Sequence, residues 1–281
     1  MSALSANLTV MLRAAEKAAK SLLRDFGEVE HLQVSRKGPA NFVTAADKRS
    51  EEIIFTELLK ARPSYGFLME ERGEVKSPQS ANGAASGGDD EFRFIVDPLD
   101  GTTNFLHGVP HFNISIGLER VLHDGTREMI AGLVMDPIKN EVFHAEKGTG
   151  AFLDKRRLRV STRKDLDVAL IAGGDCQRQS AQVKENFIKQ YSALVSRTSG
   201  FRRMGAAALD LCYVAAGRFE AYWEVGLGPW DAAAGALIVK EAGGSIASLA
   251  GDKNPVYADM ILASNALLHQ TIRTILEDAV K

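Results

Sequence analysis

What these 281 residues lack closes off several classes of function. There are only two cysteines, Cys176 and Cys212, far apart and at no zinc or redox spacing. One disulfide is open to them, but two separate thiols are expected, which suits the reducing cytoplasm where the chain is placed. The six histidines form no ligand pattern such as HExxH. Cationic excess is missing too: 34 Lys and Arg stand against 36 Asp and Glu, a net charge of −2. No overall positive field awaits polyanions, so a phosphate-handling site has to be local, built from metal ions or backbone dipoles. The N-terminal stretch has no continuous apolar run of signal or membrane length. Its Leu8, Leu12, Ala15, Leu22 and Phe26 recur at helical spacing instead, describing an amphipathic surface helix. There is no internal repeat, and only SPQSANGAASGGDDE (77–91) is low in complexity, which reads as a loop.

What is present is the balance of an ordinary globular protein, 45% hydrophobic and 25% charged, long enough for one large domain or two that share a cleft. Thr44 is a good N-cap and Pro63 a stop for a helix between them. YGFLME (65–70) and FRFIVD (92–97) read as strands, each running into an acid. HFNISIGLER alternates cleanly, with Phe112, Ile114, Ile116 and Leu118 on one face. MIAGLVMDPIKNEVFHAE gives two strands joined by a turn, and KGTGAFLDKRRLRV a hairpin. Beyond about residue 150 strands and helices take turns, and WDAAAGALIVKEAGG reads as a helix stopped by Gly243-Gly244. Sheets layered with helices, α/β or α+β, are the expected class, with an N-terminal α+β half (1–150) and a C-terminal α/β half (151–281).

Acidic residues recur where strands meet turns or helices begin: Asp47, Glu70-Glu71, Asp97 with Asp100, and Asp231 with Glu224. Each has a plain structural explanation. Asp47 completes a capping box with Thr44, Asp231 favours a helix dipole, Asp97 and Asp100 bracket Pro98 as turn residues do, and Glu70-Glu71 can be solvated. The joint reading is that carboxylates converging in a partly buried cleft repel one another and require cations. Oxygen ligands without His or Cys select Mg²⁺ or Mn²⁺. In DPLDGTTNF (97–105), Gly101 permits close approach of the backbone, and Thr102-Thr103 can begin a short helix whose amides face an anion. Metal-binding acids followed at once by phosphate-binding amides imply metal-assisted phosphoryl transfer to water.

DPLDGTTNFLHG closely resembles the signature of the inositol monophosphatase family of Mg²⁺-dependent, lithium-sensitive phosphatases. MEER (69–72), WDAAAGALIVKEAGG (230–244) and KGPANFVTAAD (37–47) resemble three further motifs of that family, all in family order. The resemblance implies the layered αβαβα sandwich of the sugar and inositol phosphatases, with most metal ligands in the N-terminal half. It implies that Glu70, Asp97 and the Leu99 carbonyl hold the first and tightest Mg²⁺, and that Asp97, Asp100 and Asp231 hold the second. It also implies that Glu70, with water, helps a weaker third ion, and that Thr102, hydrogen-bonded to Asp47, orients or deprotonates the attacking water. By the same resemblance the Gly101 and Thr102 amides would receive phosphate, the backbone around Gly205 and Ala207 would line the pocket, and Glu224 would accept hydrogen bonds from substrate hydroxyls.

Three features depart from the family pattern: the pair Arg36-Lys37, Asn41 in place of an aspartate, and Ala206 in place of a frequent threonine. None is a metal acid. The expected substrate is a phosphate monoester, myo-inositol 1-phosphate or a related polyol phosphate. Histidinol phosphate, fructose 1,6-bisphosphate, NADP and 3′-phosphoadenosine 5′-phosphate are alternatives within the same chemistry. A homodimer through the α/β halves follows from the resemblance, and some bacterial relatives serve RNA or the transcription machinery. Only DKRRLRV (154–160) is densely basic here, and it reads as a solvated hairpin.

Overall fold

Helix α1 (Ala6–Phe26) begins where the Ser5 side chain accepts the Leu8 amide at 3.2 Å, and it buries Leu8, Met11, Ala15 and Leu22 on one face. Helix α2 (Ala45–Ala61) starts at a capping box between Thr44 and Asp47 and ends at Arg62, one residue before Pro63. These boundaries belong to a computed structural model, which describes residues 4–28, 34–38, 41–77, 90–174, 176 and 179–281. Most of the low-complexity stretch, and the side chains of Arg36, Lys37 and Asn41, lie outside the described residues.

Strands β1 (Val34–Gly38) and β2 (Asn41–Thr44) form a small antiparallel hairpin ahead of α2. An eight-stranded sheet follows from β3 (Gly66–Met69), β4 (Gly73–Val75), β5 (Glu91–Asp100), β6 (Asn113–Val121), β7 (Arg127–Asp136), β8 (Glu141–Glu146), β9 (Gly150–Leu153) and β10 (Arg156–Arg157). Its order is β10-β9-β8-β7-β6-β5-β3-β4, and only β3 and β5 run parallel within it. Short α3 (Thr102–Leu106) leaves β5 directly. The second sheet holds β11 (Leu170–Gly173), β12 (Gly200–Arg202), β13 (Ala221–Val225), β14 (Gly244–Ser248) and β15 (Met260–Asn265), in the order β12-β11-β13-β15-β14. Helices α4 (Ala181–Val195), α5 (Ala207–Ala215), α6 (Pro229–Glu241) and α7 (His269–Asp278) complete seven α-helices among the described residues.

Five layers result. Helices α1 and α2 cover one face of the large sheet, meeting Phe67, Phe94, Ile114, Ile116 and Leu118 in one core. Helices α5 and α6 lie between the sheets, with Leu211, Val214, Leu237 and Ile238 packed against Val134, Phe143, Tyr222 and Ile261. Helices α4 and α7 close the far face of the small sheet around Phe187, Trp223, Leu262 and Ile272. The expected αβαβα sandwich with mixed sheets is the observed fold.

Two paired glycines seat α6. Gly117 and Gly132 face each other across β6 and β7. A Cβ on Gly132 would lie 2.8 Å from the Ala234 carbonyl oxygen, and one on Gly117 would lie 2.9 Å from the Ala233 Cβ. Glycine at both places lets the α6 backbone rest on the sheet, so its first turn reaches the end of β5.

Candidate active site

β5 runs through Pro98 to Asp100, three residues past the expected strand end at Asp97. Asp97 pairs with Ser115 and Asp100 with Asn113, with an irregular register between them. The cause is local: Pro98 has no N–H for the ladder, and the Asp97 carboxylate instead takes the Leu99 amide at 2.9 Å. In a regular strand, residues three apart point to opposite faces. The irregularity cancels that alternation, and Asp97 and Asp100 reach one place. The turn expected around Pro98 is therefore a bulged strand.

Asp231 joins them from the first turn of α6, its carboxylate accepting the Gly228 amide at 2.7 Å. One oxygen from each of Asp97, Asp100 and Asp231 lies within 4.8 Å of the others. No Lys or Arg among the described residues pairs with any of the three. Burial, then the charges of Glu70, Asp100 and Asp231, push the Asp97 carboxyl well above the usual carboxylate range. Burial and the Asp100 charge raise Asp231 to about 7. Burial raises Asp100 to about 6, held back by hydrogen bonds from Asn113 and the Ala208 and Ala207 amides. An all-oxygen set of mutually repelling acids fits a divalent hard cation, and the chemistry of the donors is that of Mg²⁺ or Mn²⁺.

Helix α2 clamps the acidic loops with one face. Its Asp47 accepts the Thr102 hydroxyl at 3.1 Å and the Thr44 amide at 2.9 Å. Three residues on, Ser50 donates to the Pro98 carbonyl at 2.7 Å. Glu51, beside it, accepts the Glu71 amide at 2.9 Å and the Arg72 amide at 3.3 Å, fixing the loop that carries Glu70. Asp47 is thus both the helix cap and the partner of Thr102. Its carboxyl is raised, chiefly by burial and against the hydrogen bonds from Thr44. The Thr102 hydroxyl also lies 3.1 Å from the Leu99 carbonyl, so its single proton has two acceptors.

Gly101 takes φ +92°, the left-handed region, where a Cβ would also meet the His111 carbonyl at 3.1 Å and that of Gly205 at 3.3 Å. Asn104 on α3 donates to the Met204 carbonyl at 2.8 Å and ties this turn to the segment holding Gly205 and Ala207. The Ala207 and Ala208 amides, first in α5, end on the Asp100 carboxylate at 3.2 and 2.8 Å. Glu224, at the end of β13, takes the Tyr222 hydroxyl and lies over Gly174, where any Cβ would overlap its carboxylate. Its charge reaches Asp231 and the buried Asp210 on α5, both of which it raises.

Asp97, Asp100 and Asp231 are therefore gathered into one cluster, with Glu70 close enough to act on Asp97. Glu224 comes from β13 of the small sheet and is close enough to act on Asp231. Ser50, Glu51, Asn113 and Asp210 were not foreseen. The first two stand three and four residues after Asp47, a spacing that puts all three on one helical face. Asn113 sits on the face of β6 opposite its apolar alternation.

A family model for the inositol monophosphatase family matches residues 4–281. An inositol-1-monophosphatase of Mesorhizobium japonicum is 46% identical over 268 residues, 95% of either chain. A protein of Pseudomonas aeruginosa named Nus factor SuhB is 40% identical, covering 96% of this chain and 95% of its own. The crystal structure of the extragenic suppressor protein suhB of Bartonella henselae superposes with a TM-score of 0.87 at 45% identity, covering 97% of this chain and 99% of that one.

Proposed function

The chain belongs to the inositol monophosphatase family of phosphatases, and from that premise we propose that it is a Mg²⁺-dependent phosphomonoesterase of myo-inositol 1-phosphate and related polyol phosphates. The observation that carries the reading is the cluster of Asp97, Asp100 and Asp231 at the start of a short helix. Glu70, Asp97 and the Leu99 carbonyl would hold one cation, and Asp97, Asp100 and Asp231 a second and weaker one, with Glu70 and water serving a third. Mg²⁺ bound there would offset phosphate charge and lower the pKa of water, with Mn²⁺ a possible substitute.

The chain's own groups do the rest. Thr102 donates its proton to the ionised Asp47, which leaves its oxygen lone pairs to accept a proton from the attacking water. That donation also leaves the Leu99 carbonyl available to a cation. The amides of Gly101 and Thr102 precede the first intrahelical bond of α3 and would offer their N–H groups to the phosphate. Glu224, fixed by Tyr222, accepts hydrogen bonds from substrate hydroxyls, while Gly205 and Ala207 shape the pocket backbone. A panel of phosphomonoesters with Mg²⁺, and with Li⁺ added, tests the reading. Preference for a nucleotide 3′-phosphate by about two orders of magnitude, some 2.7 kcal/mol, would remove polyol phosphates from it.

A homodimer through the α/β half fits the exposed apolar row of Ile188, Tyr191 and Val195 on α4. A strictly monomeric mass in light scattering at micromolar concentration would oppose it. A second reading, association with RNA or the transcription machinery, is favoured by relatives named Nus factor SuhB. The exposed pair Arg156 and Arg157 on β10, with Arg159 nearby, is the basic surface to test. RNA capture unaltered when all three are changed to alanine would exclude that surface. No helix among the described residues is long and apolar enough to cross a membrane.

A further inference from the structure

We infer that Asn113 is a positioning residue for the second cation, an inference that rests on the metal reading above: its carboxamide holds Asp100 so that one carboxylate oxygen is kept for the ion. Asn113 is fully buried at the start of β6, directly across the bulge from Asp100. Its Nδ2 donates to Asp100 Oδ2 at 2.6 Å, and the same oxygen accepts the Ala208 amide at 2.8 Å. The other oxygen, Oδ1, receives the Ala207 amide at 3.2 Å, longer than either, and the Leu209 amide acts on the carboxylate more weakly still. A carboxylate oxygen has about two lone-pair sites. Oδ2 is therefore filled by two short bonds, and Oδ1 retains the capacity to bind.

Packing alone does not explain an amide at this position. Among the described residues Asn113 Oδ1 is buried without a hydrogen-bond partner, which costs stability that an apolar residue of similar size would not. What the residue returns is the N–H to Asp100. Its neighbours on the same face of β6 point to the same task. Ser115 donates to the Trp230 carbonyl at 3.2 Å, one peptide from Asp231, and Gly117 admits Ala233. One strand face thus registers both acids of the second site, Asp100 by direct contact and Asp231 through the first turn of α6.

The test is direct Mn²⁺ binding, followed by electron paramagnetic resonance of the free ion, on the full chain and on Asn113→Leu. The wild type should show a tight and a weaker class of ion. In Asn113→Leu the tight class should stay within about twofold while the weaker class loses about 10–100-fold in affinity, the usual effect of removing a partner behind a metal ligand. A folded Asn113→Leu protein with both classes unchanged overturns the inference. A wild type with no weaker class overturns the metal reading itself, so the two failures are distinguishable. Should Asn113→Leu fail to fold, the wild-type side-chain amide resonance of Asn113 serves instead. It should shift as Mg²⁺ fills the weaker class, and no shift across that range overturns the inference.

Discussion

The Thr102 hydroxyl lies 3.1 Å from the Asp47 carboxylate, joining the start of α3 to the start of α2. Asp47 therefore caps a helix and, in the proposed reaction, also takes the Thr102 proton, and mutation distinguishes the two roles. Thr44→Ala removes the capping acceptor and one hydroxyl donor to Asp47 but leaves the Asp47–Thr102 bond, and should cost about 1 kcal/mol of stability with a smaller loss of turnover than a change at Thr102. Thr102→Val removes only the proton path and should lower kcat by about 10²–10⁴-fold with little change in melting temperature. Thermal melts and steady-state kinetics on both variants check this. Equal turnover in Thr102→Val and wild type would refute the assignment of Thr102.

The acid cluster makes stability depend on pH in a defined direction. Asp100 and Asp231 stand at about 6 and about 7 in the folded chain, against an unperturbed 3.8. Raised carboxyl values mean that the folded state holds protons the unfolded state has released. Metal-free protein should therefore lose stability as the pH rises from about 4 through about 7. Mg²⁺ should reverse the trend, and at 100 times its dissociation constant it contributes about 2.7 kcal/mol. Scanning calorimetry in EDTA and in Mg²⁺ reads both effects. A metal-free melting temperature that rises between pH 5 and pH 8 would contradict the repulsion described here.

Much of this was legible in the sequence, for reasons that can be stated. The alternation of Phe112, Ile114, Ile116 and Leu118 marked a half-buried strand because those residues meet α1 and α2. The capping box at Thr44 and Asp47 marked the start of α2, and Thr102-Thr103 the start of α3. What escaped were features set by partners distant in sequence. Asn113 is recognisable only once Asp100 lies opposite it, across a bulge that depends on the missing N–H of Pro98. β12 and β14 are short, and each begins at a glycine, so neither gives a periodic signal. Gly117 and Gly132 acquire meaning when α6 rests on them.

That seating yields a test remote from any acid. Gly132→Ala places a Cβ 2.8 Å from the Ala234 carbonyl, a backbone atom that cannot rotate aside. Helix α6 must move away from the sheet and carry Asp231 with it. The variant should lose about 1–3 kcal/mol of stability. Its weaker ion class should suffer more than its tight one if Asp231 serves the second site as proposed. Mn²⁺ titration reads this, and an unchanged weaker class would show that α6 placement does not set the site.

Glu224 should act on selectivity more than on chemistry. A hydrogen bond to a charged group contributes about 1.5–3 kcal/mol. Glu224→Ala should therefore lower kcat/KM for myo-inositol 1-phosphate by about 10–100-fold, and much less for a substrate without vicinal hydroxyls such as phenyl phosphate. An equal fall for both substrates would assign Glu224 to the acid cluster rather than to recognition.

The central claim is that Asp97, Asp100 and Asp231 gather the cations that make this chain a phosphatase. Phosphate release from myo-inositol 1-phosphate by the wild type, Asp97→Asn and Asp231→Asn, each with Mg²⁺ and with EDTA, tests it most directly. The wild type should turn over only with Mg²⁺, and both variants should fall by several orders of magnitude while remaining folded. Near-normal Mg²⁺-dependent hydrolysis in either variant, or wild-type hydrolysis that survives EDTA, would contradict it.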